Sequence, residues 1–290
     1  PPPPSFHSDF GLRVTSRGLV GSEMCIRVRM GALAGFLRAL FTGHAMLCFM
    51  VGGFSGALLA GLHGLVCLGF QGNQVVSGLA LTILGTGLAN YLGTPFIGQS
   101  APGFNPVHIP FLSRIPLLGP IFFSHDPLVY ISYLVPPLIW LFFRFTRWGL
   151  GLRAVGEYPA AAAASGLRVI GYRWTGILAG GYLVGWGGAY LSLAYTHLWT
   201  SGLSAGRGWI AVALVIFAFW HPGRAVVGAY LFGGVMAFQF HLQAMGTHIP
   251  SSLLLMLPYA LTVVVLVFSS WKSSRQQAPA ALGINIEPSE

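Results

Sequence analysis

Charge is scarce in this chain. Lys, Arg, Asp and Glu together make up 7% of its 290 residues, where a soluble domain carries about 25%. Acidic residues are the rarest. Beyond residue 29 there are only Asp126, Glu157, Glu287 and Glu290, too thin an inventory for paired-carboxylate catalysis. HExxH is missing, and His63, His221 and His241 stand without carboxylate partners nearby in sequence, so a metal-dependent or intramembrane enzyme is disfavoured. His125-Asp126 reads as a helix cap rather than a dyad. The single lysine is Lys272 and GxxxxGK[ST] is absent, so the chain has no phosphate loop with which to hydrolyse ATP itself. Cys25, Cys48 and Cys67 form no CxxC, and no His pairing is expected for them. Cys48 and Cys67 lie in an apolar stretch as small hydrophobes. No cofactor or metal is expected.

What is abundant is apolar length. Apolar residues reach 54% with 40 glycines, and mean hydropathy is +0.71. About 20 apolar residues cross ~30 Å of hydrocarbon. Full or near-full spans fall at Ala45–Cys67, Val75–Leu92, Pro127–Phe143, Gly176–Tyr195, Ala225–Gln239 and Leu253–Phe268. Trp209–Trp220 is short enough to be tilted, broken or buried, and Met30–Thr42 is the tail of a further span. The expected fold is an all-α polytopic transmembrane helical bundle of about seven to eight spans.

The formal net charge of +9 resides in loops, which points to membrane orientation rather than nucleic-acid binding. Placing 144–174 in the cytoplasm and alternating puts Arg144, Arg147, Arg153, Arg168, Arg173, Arg224, Lys272 and Arg275 inside. Only Arg114 and Arg207 fall clearly outside. Residues 271–290 then form a cytoplasmic tail. The first 29 residues stand apart: Pro1–Pro4 is low-complexity, and Leu19–Arg27 resembles a translated sequencing-adaptor remnant. They are expected to be non-native or disordered, with the transmembrane domain over 30–270 and Met30–Thr42 the tail of a truncated span.

Small residues recur every four positions at Gly52, Gly56, Ala60 and Gly64, and again at Gly181, Gly185 and Ala189. Such stripes let helix backbones approach, either as static packing or as a moving interface. Past residue 43 no charge sits deep in a span, which argues against ion-coupled transport. The polar groups there are neutral and suit a neutral, hydroxyl-rich solute. Asn90, Gln239 and Tyr259 are the candidate pathway contacts, although such a residue more often serves a helix–helix hydrogen bond.

The loop between the spans carries the functional motif. Gly156-Glu157-Tyr158-Pro159-Ala160-Ala161 reads as a helix start, with Pro159 in the first turn and Glu157 at the positive end of the dipole. The alanine run continues to Ala164, and Gly166 is the stop. A short helix beside a membrane, flanked by arginines, suits seating in a partner's groove.

The stretch Gly151–Leu167 resembles the coupling-helix loop of the permease subunits of ABC importers for simple sugars and nucleosides. The likeness extends to Gly72–Leu81, Ala179–Ser192 and Gly206–Phe217 and covers roughly residues 30–270. It implies an alternating-access pathway built from two permease subunits, a substrate-binding protein or lipoprotein outside, and ATPase subunits gripping the 157–166 helix in the plasma membrane. The nearest likeness is to the nucleoside branch, with ribose- or galactose-type sugars as the alternative. The departures are Tyr158, where the family usually carries Asn, and the all-Ala run at 160–164. A passive channel is the rival of another class, and it would leave the ordered 157–166 helix unexplained.

Overall fold

The computed structural model describes residues 6–105, 107–108, 124–200, 202–204, 206–246 and 250–272. Arg114, Arg275, Glu287 and Glu290 lie outside the described residues, as does the tail beyond Lys272. Ten α-helices are described: α1 Phe6–Thr42, α2 Ala45–Gly64, α3 Gln74–Gly93, α4 Pro127–Phe145, α5 Arg147–Glu157, α6 Pro159–Ala164, α7 Val169–Tyr190, α8 Arg207–Ala218, α9 Pro222–Ala244 and α10 Ser251–Lys272. A two-residue antiparallel ladder, β1 Val107–His108 with β2 Ser124–His125, is the strand structure among the described residues. Five helical segments are long and apolar enough to cross a membrane, and 207–218 and 252–265 are shorter apolar helices. The architecture is a helical membrane bundle. Residues 6–29, set apart by composition, continue the helix that carries Met30.

The bundle is built around contact between α2 and α7, with α1 laid across both. The two glycine stripes face each other. A Cβ on Gly56 would lie 2.7 Å from Gly185 Cα, and one on Gly31 would lie 2.8 Å from the same atom. The Gly188 position is closed by the Val28 carbonyl. No side chain fits between these backbones, so glycine here is a geometric requirement. Around this seam pack Phe36, Cys48, Leu193 and Trp199, all under 2% exposed. Trp186 stacks on Phe49 at 5.0 Å, and Phe104 meets Phe49 edge-on at 6.5 Å.

At its far end α7 widens into a π-turn, Leu191–Tyr195. A π-turn shifts the hydrogen-bond register and leaves carbonyls for other partners. The segment 98–104 takes one of them up, Phe104 N donating to Leu193 O at 3.0 Å, and pairs with the chain just beyond the turn, Ala101 N donating to His197 O at 3.1 Å and Gly98 N to Trp199 O at 3.1 Å. Within the turn, Ser192 Oγ donates to Ala32 O at 2.9 Å, fully buried between α7 and α1. Ser192→Ala should lower stability by about 1 kcal/mol, read as a drop in the thermal midpoint in detergent. An unchanged midpoint would show that the bond adds nothing to packing.

A second group, α8 to α10, closes on Ile210, Ala213, Phe232 and Val265. It joins the first through α1 with α8 and α4 with α9. The short span expected at Trp209–Trp220 is broken: α8 ends at Ala218, and Phe219 and Trp220 both take left-handed backbone, φ 48° and 56°. At 1.5 Å per residue its twelve residues rise about 18 Å, well short of a membrane's hydrocarbon. His221 restarts the chain, its Nδ1 accepting from Gly223 N at 3.2 Å to cap α9.

Candidate functional site

The Arg-rich loop is an ordered elbow. Thr146 breaks α4 from α5, and its hydroxyl oxygen accepts from Gly149 N at 3.0 Å as an N-cap. Arg144 lies over Trp140, 5.6 Å from the ring centroid. Helix α5 is held to α7 by Trp148 against Tyr172, ring centroids 5.0 Å apart. Gly151 lies under the Tyr172 ring, where a Cβ would come within 2.6 Å. Gly149, Gly151 and Val155 are buried, Gly149 against the end of α4, where a Cβ would lie 2.6 Å from Phe143 Cα.

The short helix begins two residues later than the sequence pattern suggests. Glu157 closes α5 rather than opening the next helix, and Tyr158 turns the chain at φ −145°, ψ 89°. Pro159 is the first residue of α6, where its missing N–H leaves no helical bond unmade. Gly166, φ +84°, ends α6: Gly166 N donates to Ala163 O at 2.9 Å and Leu167 N to Ala162 O at 3.0 Å. These paired bonds are the Schellman closure that the glycine at 166 makes possible. Ala162 is buried at 4% exposure and seats α6 on the elbow. Tyr158, Ala160, Ala161, Ala163 and Ala164 are exposed, as are Arg153, Glu157 and Arg168. Gly156 is half-buried where α5 nears the turn. The outward surface is small, apolar and rimmed with charge, and so able to receive a complementary groove.

The three candidate pathway residues are dispersed. Asn90, on α3, accepts from Arg29 Nη2 at 2.7 Å. Sequence reasoning missed this bond because residues up to 29 were set aside. Gln239 is buried on α9 at 3% exposure. Tyr259, on α10, places its hydroxyl against Gly206 at the head of α8. Among the described residues, no group of three or more His, Cys, Asp and Glu is placed to hold a metal.

A bundle of apolar helices closed along a glycine seam, with an ordered charged elbow between two of its spans, is the architecture of a polytopic membrane protein. The chain belongs to the family described as branched-chain amino acid transport system / permease component, whose model matches residues 26–266. It is a multi-pass membrane permease of the ABC transporter type. One similar protein is the "Putative glucose ABC transporter permease protein TsgC13" of Haloferax volcanii, 42% identical over 74% of this chain and 67% of that protein. Another is the "Nucleoside ABC transporter permease protein NupC" of Lactococcus lactis, 35% identical over 82% of this chain and 77% of that protein. A third is the "Guanosine ABC transporter permease protein NupQ" of Bacillus subtilis, 31% identical over 88% and 83%. No solved structure gives a significant match.

Proposed function

We propose that this chain is one of two permease subunits in an ATP-driven importer of the plasma membrane, carrying a neutral, hydroxyl-rich solute. The carrying observation is the elbow: α6 packs on α5 through the buried Ala162 and touches α7, yet is exposed along one apolar side. A six-residue helix seated this way would pass motion between a soluble partner and the bundle. In this reading ATPase subunits hydrolyse ATP and seat Tyr158 to Gly166 in a groove. Their closure binds one state of the bundle better than the other, which shifts it between outward and inward openings. A substrate-binding protein delivers solute from outside. The second permease subunit supplies the other half of the pathway. Residues 30–270 carry this activity, with 144–174 and the tail on the ATPase side.

A nucleoside is the first candidate solute, supported by the nucleoside and guanosine permeases among the similar proteins. A simple sugar is the second, supported by the 42% identity to the glucose permease. Vesicles containing the permease, its ATPase, its partner permease and its binding protein should take up labelled guanosine when ATP is supplied. Glucose uptake in its place keeps the importer and selects the sugar. Flux that ignores ATP sinks the importer and makes the protein a channel.

A further inference from the structure

The corner where α4 turns into α5 lies level with the ends of two spans. Thr146 breaks the chain, and α5 then folds back so that Gly149 rests on Phe142 and Phe143 in the last turn of α4. On its other side, Trp148 and Gly151 meet Tyr172, three residues inside the span Val169–Tyr195. The first turn of α5 is therefore held at the height where both spans end. There, three large apolar side chains stay uncovered by the bundle: Phe145 is 67% exposed, Trp148 56% and Leu150 55%. Two cations stand among them. Arg144 places its guanidinium 5.6 Å from the Trp140 ring centroid and 5.9 Å from that of Phe145. Arg147 opens α5 and is exposed, and Leu150 follows it by one helical turn on the same side. From Trp140 to Gly156 the chain holds three arginines and no acidic residue.

Membrane orientation accounts for arginines in a loop. It does not account for Phe145, Trp148 and Leu150 left uncovered beside them, since water meets such surface at a cost. A bilayer surface answers both features at once. Its acyl boundary takes the apolar side chains, and its phosphates take the guanidiniums. A guanidinium offers a phosphate two parallel N–H bonds, which an ammonium cannot match. The exposed side of α6 is of another kind. It is made of small alanines, begins beyond Tyr158, and has Glu157 at its edge. Glu157 stands at the far end of α5, about 15 Å along the axis from Arg147.

We propose that the α4–α5 corner is a binding site for an anionic phospholipid. Arg144 and Arg147 hold its phosphate, while Phe145, Trp148 and Leu150 enter the acyl boundary. The bound lipid fixes the start of α5 at the membrane surface, which leaves α6 as the part of the elbow that a soluble partner meets. The site needs no ATPase and no solute. It goes beyond the importer reading, and the failure of either leaves the other standing.

Two measurements on the purified full chain test it. In the first, phosphatidylglycerol and phosphatidylcholine with matched acyl chains compete for the delipidated protein in detergent, and bound lipid is counted by native mass spectrometry. Each arginine near the headgroup favours the anionic lipid about fivefold, so Arg144→Gln with Arg147→Gln should cut the phosphatidylglycerol preference about fivefold or more. Arg153→Gln, exposed further along α5, should leave it unchanged. In the second, Trp148 is located by quenching in phosphatidylglycerol vesicles. The emission lost on Trp148→Phe, which keeps a ring against Tyr172, should be quenched by lipid brominated on its acyl chain and little by aqueous acrylamide. An undiminished preference in the double variant overturns the headgroup site. Quenching by acrylamide without quenching by brominated lipid overturns the insertion and gives the corner to a soluble acidic partner. Should the double variant fail to fold, the wild type decides alone: its preference must fall as salt rises from about 0.05 to 0.5 M, and a preference indifferent to salt overturns the proposal.

Discussion

Gly185→Leu should abolish the folded bundle. Gly185 sits where three backbones converge. A Cβ there would meet the Gly52 carbonyl and lie 3.0 Å from Gly53 Cα and from Gly53 O. The obstacles are main-chain atoms of a neighbouring helix, so no rotamer change relieves them. Overpacking a flexible core costs about 1–3 kcal/mol. Here α2 and α7 must part along the seam on which α1 also packs, placing the change on the order of 4 kcal/mol or more, the range reserved for core disruption. In detergent the variant should give no monodisperse peak on size exclusion. Gly187→Leu is the control, two residues along the same helix, where nothing lies within 4 Å of an added Cβ. It should elute as wild type, since leucine is the better helix former. A folded Gly185→Leu variant would mean that the seam is looser than its backbone distances imply.

This seam shows how far the sequence could be read. The four-residue spacing of Gly52, Gly56 and Ala60, and of Gly181, Gly185 and Ala189, marks two faces that admit close approach. Periodicity is a local property and is written in the chain. Which stripe meets which is a long-range choice, and so is the way α1 lies across both through Gly31 and Val28. The spans were legible for the same reason, since length and hydropathy are local quantities. The break after Ala218 was legible only as an anomaly in length. The paired left-handed residues Phe219 and Trp220 carry no glycine or asparagine to announce them.

The elbow divides along the same line. Gly166 as the stop of α6 could be read because a left-handed closing residue favours glycine. The place of Glu157 could not, because its fate depends on α5 continuing, and α5 is fixed by Trp148 and Gly151 packing on Tyr172. Asn90 and Tyr259 were singled out as polar groups in spans, and each has a partner, Arg29 and Gly206, that no spacing rule supplies.

Ala160→Asp combined with Ala161→Asp should uncouple uptake while leaving the permease folded. Both residues are exposed on α6, and they occupy its second and third positions after Pro159. Negative side chains are favourable at the start of a helix, so the substitution does not unwind α6. Ala162 is deliberately spared: it is 4% exposed, and a carboxylate there would break the elbow's own packing and confuse the result. If the exposed side of α6 seats in an ATPase groove, closing that contact buries two carboxylates that the alanines never brought. An unpaired charge taken into an interface costs about 3–5 kcal/mol, equivalent to more than a hundredfold in affinity. ATP-driven uptake should therefore fall at least tenfold, and the ATPase should no longer co-purify, while the thermal midpoint of the isolated permease stays at the wild-type value. Ala160→Ser with Ala161→Ser, similar in size and uncharged, should transport nearly as well as wild type. That contrast separates charge burial from crowding. Full uptake by the double Asp variant would remove α6 from the interface and leave the elbow as a structural connection between α4 and α7.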